Sequence, residues 1–484
     1  MFNGLTSITN TGTGYLQTSG SNVFNANVTL SNSSTSNLTL EISSGSVYDG
    51  QLTLTNQGSG VINVGLGGST SLNENVLVNA TGGSIAFSTS VGSTSTLASG
   101  KTVSIGGTGF SGGELWFAHF TQSGTTSQNL TLGSNATFRT GPLTTWNGSV
   151  NFSAGRVFLD GAQFFAPATI SKTSVGTDRS VGGNSFFDQT TINVSSSTMI
   201  LAGTNGDDFV GNLTFNLSQS AKVYPALIGT TTISGNLSAL NFDGSAVDLN
   251  FGSIANGGAG SVTFNGSADQ AISANFTPTI TRMIMDKSSG AVNLNIPINI
   301  AASATFTSGV VNSTSTNFIN FANDAVANGG STASFVNGPV RKTGNDPFTF
   351  PTGVVSGGSG YYRPVSMSAP SGTNDLFVAQ YFKQPQVFGG VSTYQSPIVA
   401  VGACEYFSFT RSVGASSPKL TLSWLRSDCA SDLFTNDLSK YVVSRWTGSN
   451  WINQGSSATT GDASSGTITS NAVTGFGNFA IGYT

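Results

Sequence analysis

The stretch GGNSFFDQTTINVSSSTMILAGTNGDDFVGNLTF, residues Gly182–Phe215, contains one short pattern twice. Phe186 and Phe209 each begin a phrase with strand-like residues four and six positions later. Those residues are Thr190 and Ile192 in the first phrase and Leu213 and Phe215 in the second. Because successive side chains of a strand point to opposite faces, positions an even number apart share one face. The stretch therefore predicts two consecutive strands that turn the same face toward a common interior.

The phrase recurs along the chain at a nearly constant step. Its first positions are Phe2, Phe24, Tyr48 and Leu72 in one block and Phe164, Phe186, Phe209 and Ile233 in another. The differences between successive positions are 22, 24 and 24 in the first block and 22, 23 and 24 in the second. A β-repeat of this length fits a parallel β-solenoid, whose coils stack about 4.8 Å apart. The internal stacks predicted from this step contain Phe24 and Tyr48, and separately Phe164, Phe186 and Phe209.

A β-sandwich is the alternative architecture, because alternation alone is common to both folds. The constant step favours the solenoid. The second position after the aromatic residue is usually small, as at Gly50, Gly148 and Gly211, where a tight corner is easiest for the backbone. Between Val76 and Trp146 the register is poor, which indicates irregular coils or an inserted loop.

The composition indicates an all-β protein that folds. Only 8% of the 484 residues are charged and the chain contains 33 Phe, whereas disordered chains combine high net charge with few aromatic residues. Helical periodicity is nearly absent. The net charge of −4 provides no basic field for nucleic acid, and no apolar run approaches the length of a membrane span. Neither a nucleic-acid partner nor a membrane span is therefore expected.

The composition changes near Phe335. From Val336 the chain reads VNGPVRKTGNDPFTFPTG, with prolines and tandem basic residues and without the repeat. The net charge is −6 before residue 336, from 8 basic and 14 acidic residues, and +2 after it, from 9 and 7. We predict a β-solenoid over residues 1–335 and a β-sandwich-like cap or docking domain over residues 336–484.

Two pairs of residues in the C-terminal segment are candidates for specific roles. Cys404 and Cys429 suit one disulfide in an oxidising compartment, and two buried free thiols are the alternative. Trp446 and Trp451 flank the turn of an expected hairpin, RWTGSNWINQG. They are interpreted as a buried anchor of the sandwich, with a sugar-stacking platform as the alternative.

Several phrases resemble the C-terminal half of large Bacteroidota surface proteins that are exported by the type IX secretion system. They are FNGSADQAI, NLNIPINIAASATFTSGVV, YYRPVSMS, YVVSRWTGSNWINQG and, most specifically, GPVRKTGNDPFTFPTG at Gly338–Gly353. The upstream repeats resemble the arrays of the same proteins. The resemblance implies a cell-surface or extracellular location and an adhesive or structural role. The sorting domain that the resemblance leads us to expect after this module does not follow, which implies that it was either cleaved on export or left out of this chain.

Parallel β-solenoids also include polysaccharide lyases and hydrolases, which need two carboxylates that face one cleft. Asp188 and Asp208 on neighbouring coils are the pair considered for this role. His119 is the only histidine, so neither a catalytic triad nor a zinc site is expected from it. The sequence predicts no enzyme and no catalytic residues.

The turn TNGDDF contains Asp207 and Asp208, which are candidates for a calcium site because Asp and Asn oxygens in a Gly-containing turn suit this ion. The turn lacks the full spacing of a known calcium loop, and a solvated turn is the alternative. No other cofactor is expected.

The predicted function is structural: a stiff, secreted β-solenoid stalk or fibre segment. The alternative is a β-helix that binds or cleaves carbohydrate, with a surface polysaccharide as partner. Acidic residues that converge beside a basic residue would favour the enzyme, and a smooth surface of Ser, Thr and Asn would favour the scaffold. Because Phe2 already begins a repeat, we expect the N-terminal coil to stack on further repeats of a longer chain or on another subunit.

Overall fold

The computed structural model describes residues 1–241, 243, 245, 247–251, 260–384, 393–429 and 436–484. It is all-β, with 55% strand and 1% helix, and contains a parallel β-solenoid of about 14 turns of about 23 residues and a C-terminal antiparallel region. The predicted fold class is therefore confirmed. The chain divides into two compact units, residues 1–262 and 263–484. Within the described ranges, no helix has the length and apolar character required to cross a membrane.

The first unit consists of short strands that follow one another three to a coil. In its N-terminal half they are β1 (Thr6–Asn10), β2 (Leu16–Gln17), β3 (Val23–Phe24), β4 (Val28–Asn32), β5 (Leu38–Thr39), β6 (Val47–Tyr48), β7 (Leu52–Asn56), β8 (Val61–Val64), β9 (Ser69–Leu72), β10 (Val76–Ala80), β11 (Ser84–Phe87), β12 (Thr94–Leu97), β13 (Val103–Phe110), β14 (Glu114–Phe117), β15 (Phe120–Gln122) and β16 (Gln128–Thr131).

The same arrangement continues through the second half of this unit. The strands are β17 (Thr137–Thr140), β18 (Thr145–Trp146), β19 (Val150–Ala154), β20 (Arg156–Leu159), β21 (Gln163–Phe164), β22 (Ala168–Lys172), β23 (Thr177–Arg179), β24 (Ser185–Phe186), β25 (Thr190–Ser195), β26 (Thr198–Ala202), β27 (Asp208–Phe209), β28 (Leu213–Ser218), β29 (Lys222–Ala226), β30 (Thr230–Ile233), β31 (Leu237–Asn241) and β32 (Asp248–Phe251), followed by β33 (Ser261–Phe264).

These strands form three faces. Face A contains β1 and every third strand to β31, face B contains β2 and every third strand to β32, and face C contains β3 and every third strand to β30. Where neighbouring coils pair they do so in parallel, so that partners such as Thr6 and Val28, or Leu213 and Leu237, lie one coil apart in the sequence. The sheet of face A that begins at β1 ends at β13, and the sheet of face B that begins at β2 ends at β20. In β4, Val28 and Leu30 are fully buried while the side chains between them are half-buried. The alternation thus places every second side chain in the core.

Glycine is required at two of the turns from face C to face A, at Gly50 and Gly211. A Cβ atom on Gly50 would lie 2.2 Å from the carbonyl carbon of Ala26, and one on Gly211 would lie 2.3 Å from that of Asp188. Stacked coils bring these backbones into direct contact, so no larger residue fits. This explains the glycine two positions after Tyr48 and after Phe209.

The stretch with poor register, residues 76–146, consists of coils of unequal length. Strand β13 carries a bulge: Val78 pairs with Ile105 but Ala80 pairs with Phe110, so three extra residues enter β13 between the two pairs. The coil that follows the stretch is unusually short, because Val150 of β19 already pairs with Ala168 of β22. The prediction of irregular coils is therefore correct for this stretch.

The second unit begins with parallel pairing and ends with antiparallel pairing. Its strands are β34 (Gln270–Ala274), β35 (Thr279–Leu294), β36 (Ile298–Asn312), β37 (Ile319–Phe321), β38 (Val326–Gly329), β39 (Ser334–Asn337), β40 (Val340–Thr343), β41 (Phe348–Phe350), β42 (Thr352–Ser356), β43 (Ser359–Tyr362), β44 (Val365–Met367), β45 (Leu376–Phe382), β46 (Ala400–Val401), β47 (Tyr406–Val413), β48 (Lys419–Leu425), β49 (Tyr441–Trp446), β50 (Trp451–Asn453), β51 (Ala458–Gly461), β52 (Ser465–Ala472) and β53 (Gly477–Tyr483). Within the described residues, short 3-10 helices span Arg426–Asp428 and Leu438–Lys440.

The change of pairing occurs at β40. This strand pairs in parallel with β37 and antiparallel with β45, and parallel pairing continues as far as Gly353 through β39 and β42. Two antiparallel sheets follow, one through β45, β47, β53 and β49, the other through β41, β44, β48, β52 and β51. Phe350 contacts Phe409 and Trp424 contacts Tyr441 across the two sheets, at ring-centroid distances of 6.0 and 5.1 Å. The C-terminal region is therefore sandwich-like.

Candidate functional site

One of the columns of stacked side chains inside the first unit lies on face C, and we call it the central ladder. Its members in chain order are Phe24, Tyr48, Leu72, Leu97, Gln122, Trp146, Phe164, Phe186, Phe209 and Ile233. All of them are buried. The rings of Phe24 and Tyr48 stack at 5.0 Å, and those of Phe164, Phe186 and Phe209 at 4.6 and 4.8 Å with planes 3° apart.

The two predicted stacks thus belong to one ladder, although the poor register between Val76 and Trp146 separates them in the sequence. Gln122 occupies a ladder position and is 1% exposed. Its amide oxygen accepts a hydrogen bond from the backbone N–H of Gly148 at 3.2 Å, which satisfies a polar group inside the coil. The steps from Leu72 to Leu97 and from Leu97 to Gln122 are 25 residues each, whereas the step from Trp146 to Phe164 is 18 residues, so no constant step connects the two blocks.

A buried carboxylate lies beside the ladder. Glu41 is fully buried and accepts hydrogen bonds from the hydroxyl groups of Tyr48 and Thr70, each at 2.8 Å, and from the N–H of Gly65 at 2.6 Å. Burial raises the pKa of Glu41, and these hydrogen bonds oppose the shift. Glu41 thus connects Tyr48 of its own coil with Gly65 and Thr70 of the next coil through hydrogen bonds within the core.

Aromatic and charged side chains meet on the outer surface of face B. Trp116, Arg139 and Phe158 are register partners on β14, β17 and β20, so their side chains form a row. The guanidinium carbon of Arg139 lies 5.4 Å from the ring centroid of Trp116 and 4.8 Å from that of Phe158. The cation therefore interacts with both rings.

Two carboxylates flank this cation. Arg139 Nε lies 2.8 Å from Glu114 Oε1, and Arg139 Nη1 lies 3.8 Å from Asp160 Oδ2. Burial raises the pKa of Glu114 and of Asp160. Asp160 also accepts a hydrogen bond from the N–H of Val181 at 2.7 Å. Glu114, Arg139 and Asp160 thus connect three successive coils.

A second ionic group adjoins the first where face B continues into β23. Asp178 and Lys172 are fully buried, and Lys172 Nζ lies 3.2 Å from Asp178 Oδ2. Arg156 Nε donates to Asp178 Oδ1 at 2.8 Å, and the N–H of Val157 donates to Asp178 Oδ2 at 2.9 Å. Burial lowers the pKa of Lys172, which Asp178 partly offsets. We call Arg156, Asp178 and Lys172 the ionic triad.

The outer surface of face A is different, because it carries rows of hydroxyl and amide groups. Thr169, Thr191 and Thr214 occupy one row. The neighbouring row contains Ser171, Asn193 and Asn216, where Asn193 Nδ2 donates to Ser171 Oγ at 2.9 Å and Asn216 Nδ2 donates to Asn193 Oδ1 at 2.8 Å. The first unit therefore has both patterns named above: acidic residues beside a basic one on face B, and a smooth polar surface on face A.

The two calcium candidates do not converge. Asp207 is 1% exposed and points into the coil, where its Oδ1 accepts hydrogen bonds from the backbone N–H and the side-chain amide of Asn184, each at 2.9 Å. Asp208 is half-buried and, as the next residue of the strand, points to the opposite side. No group of three or more His, Cys, Asp or Glu close enough to hold a metal ion occurs among the described residues.

The buried carboxyl group of Asp207 predicts a pH-dependent stability. Burial raises the pKa of Asp207 to about 7, and the negative charge of Asp160 adds to the shift. An unfolded Asp has a pKa near 3.9, so between about pH 4 and pH 7 the folded chain holds a proton that the unfolded chain releases. The contribution of Asp207 to the free energy of unfolding is therefore fully present below about pH 4 and decreases by about 4 kcal/mol as the pH rises to about 7.

We expect Asp207→Asn to unfold at a higher temperature than the parent protein at pH 8 and at a similar temperature at pH 4, because asparagine does not ionise. Thermal unfolding followed by circular dichroism at both pH values checks this. Asp188→Asn is the control, since Asp188 is exposed and should leave the dependence unchanged. If both variants change the unfolding temperature equally at pH 8, Asp207 is not the source of the pH dependence.

Asp188 and Asp208 do not form a carboxylate pair. Asp208 is the register partner of Ser185, and the Oδ1 of Asp188 accepts a hydrogen bond from the N–H of Gln189 at 2.6 Å. The candidate pair is therefore offset by three residues along the strands. His119 is half-buried at a turn with a φ of 49°, and its Nδ1 lies 2.9 Å from the carbonyl oxygen of Ser88.

In the second unit, Cys404 and Cys429 form a disulfide, with 2.07 Å between the sulfur atoms. Lys383 Nζ lies 2.7 Å from Cys404 Sγ. Nearby, the Arg363 guanidinium contacts Glu405 at 3.3 Å and Asp428 at 2.7 Å, both between side chains that are largely buried. The bond therefore closes a densely hydrogen-bonded corner of the sandwich-like region.

Trp446 and Trp451 lie directly opposite each other on β49 and β50, which form the predicted hairpin. Their ring centroids are 5.6 Å apart. Trp451 is 1% exposed and packs with Ile398, Val442 and Ala480, with Trp446 at the margin of this cluster. This position is that of a buried anchor, and Trp451 has no ring face available to a sugar.

Comparison of the chain with protein-family models, with curated proteins and with solved structures finds no match in any of the three.

Proposed function

We propose that this chain is a structural protein of the cell surface or extracellular space, in which the β-solenoid serves as a stiff stalk or fibre segment with an adhesive role. The observation that carries the proposal is the central ladder, whose register continues through all the coils from Phe24 to Ile233. Coils joined by strand pairing along face C and by a buried ladder of stacked side chains resist bending, because bending would separate close-packed side chains.

The contacts that the acidic residues make support a structural role for these residues over a catalytic one. Glu114 and Asp160 contact the same arginine, and Asp178 receives hydrogen bonds from three donors. A general acid or base must be within hydrogen-bond reach of a substrate proton, whereas these carboxylates join one coil to the next. The disulfide supports an oxidising compartment, since such bonds persist mainly outside the cytosol.

Antibody labelling of intact cells that produce the chain tests the proposal. An antibody raised against residues 1–262 should label intact cells or their extracellular fibres, and a gene deletion should remove the label and reduce attachment to surfaces. Labelling that requires permeabilised cells would refute the surface location. Normal attachment after deletion would refute the adhesive role.

A further inference from the structure

A shallow depression of about 450 Å³ lies at the corner between faces A and B of the first unit. Hydroxyl and amide side chains line most of it, including Ser134, Asn135, Ser174 and Ser196. Arg156 is the one charged residue in this lining, which contains no carboxylate among the described residues. The depression therefore combines one cation with several neutral hydrogen-bonding groups.

Arg156 is held in place and still has a free donor group. Its side chain is 47% exposed, Nε donates to Asp178 and Nη2 donates to the carbonyl oxygen of Thr177 at 3.3 Å. The guanidinium carbon lies 5.1 Å from the ring centroid of Phe158. Nη1 donates no hydrogen bond to any residue in the described part of the chain. The contacts with Asp178 and Phe158 thus fix the guanidinium and leave Nη1 for a ligand.

A second depression of about 370 Å³ adjoins the first, since Thr173 lines both. Its lining includes Ser171, Asn193 and Asn216 from the polar row of face A, and its one charged residue is Lys172. Because Lys172 and Arg156 share the single carboxylate of Asp178, the charges of the ionic triad sum to +1. The ammonium group of Lys172 is buried against Asp178, so Arg156 is the exposed cation of the ionic triad.

We propose that the two depressions together bind an acidic polysaccharide, with a carboxylate or sulfate group on Arg156 and sugar hydroxyls on the surrounding Ser, Thr and Asn side chains. The Nη1 group of Arg156 carries two N–H donors, and a charge-assisted hydrogen bond from a guanidinium to a carboxylate or sulfate is stronger than one between neutral groups. Ser, Thr and Asn both donate and accept hydrogen bonds, as sugar hydroxyls do. The lining residues come from successive coils about 4.8 Å apart, which suits an extended chain of sugars along the solenoid. The inference deepens the adhesive role proposed above and rests on it.

Titration calorimetry of the purified full-length chain tests the site. The probes are oligogalacturonate for carboxylate, dextran sulfate for sulfate, dextran as the neutral match and polyglutamate as a polyanion without sugar. We expect binding to at least one of the first two probes, with the preferred one identifying the anionic group, and weak or no binding to dextran and polyglutamate. The outcome does not depend on cellular location, so it is separate from the labelling experiment.

Two variants and one matched control locate the site. Arg156→Gln should raise the Kd by about tenfold or more. Arg179→Gln, which removes the same charge from an exposed arginine on β23, should change the Kd by less than about twofold. Asn135→Trp fills the larger depression without replacing any residue of the ionic triad and should also abolish binding, even if Arg156→Gln impairs folding. Equal losses in both arginine variants, unchanged binding by Asn135→Trp, or binding of polyglutamate as tight as that of the acidic sugars would overturn the proposal.

Discussion

Replacing Phe186 with alanine is expected to lower the local free energy of unfolding by about 3–5 kcal/mol. Phe186 is 1% exposed and lies between Phe164 and Phe209 in the central ladder, in stacking contact with both rings. Its removal leaves a cavity between two coils whose backbone spacing is fixed by hydrogen bonds, so the neighbouring rings cannot close it. Hydrogen exchange of the peptides that cover residues 163–218, measured by mass spectrometry, reports this local stability.

The adjacent Phe187 provides the control for this substitution. Phe187 is 41% exposed and stacks on Phe165 at the outer surface. Phe187→Ala removes the same number of atoms at the next position of the chain, but it leaves no internal cavity. We expect less than about 1 kcal/mol of destabilisation. Similar exchange rates in both variants would show that the ladder does not carry the stability assigned to it.

Replacing Asp178 with asparagine is expected to cost about 3–5 kcal/mol. The substitution keeps the shape of the side chain but leaves Lys172, which is fully buried, without its counter-ion. Breaking a buried ion pair by removing one partner is more harmful than removing both, because an uncompensated charge stays in the core. Urea-dependent hydrogen exchange of peptides from β20 to β23 measures the loss.

The double variant Lys172→Met and Asp178→Asn separates this charge effect from lost packing. Methionine fills a similar volume without a charge, so the double variant should recover at least half of the stability lost by Asp178→Asn. Lys172→Met alone completes the comparison. If the loss of stability in the double variant equals the sum of the losses in Asp178→Asn and Lys172→Met, the carboxylate and the ammonium group do not depend on each other. Exchange in β31 and β32 should stay unchanged in all of these variants, because the effect is local.

The ladder was predictable where coils have nearly equal lengths, and not elsewhere. From Phe164 to Ile233 the nearly constant step and the even spacing after each aromatic residue determine both the coil and its inward face. Core packing does not fix the number of residues in a coil, because extra residues such as those of the bulge in β13 extend into solvent without disturbing the buried side chains. The spacing of the aromatic residues therefore reveals neither the short step from Val150 to Ala168 nor the ladder position of Gln122.

The charged groups of face B were missed for a related reason. The row formed by Trp116, Arg139 and Phe158 can be recognised only from the register of the irregular coils. The sequence hides this register because the separations between the three residues are unequal. The calcium hypothesis considered Asp207 and Asp208 together because they are adjacent in sequence, although adjacent residues on a strand point apart. Burial of a carboxylate such as Asp207 depends on the tertiary packing of Asn184, which composition and spacing do not report.

The register of one coil on the next has an evolutionary consequence. Each strand of the first unit finds its partner about one coil away, as Thr190 does with Leu213. A gene that gains or loses a segment of one coil by unequal recombination would keep every remaining contact in register, because the new neighbours present the same faces. Length can therefore change in single steps while the core chemistry is conserved, and selection can adjust the reach of such a protein without redesigning its fold.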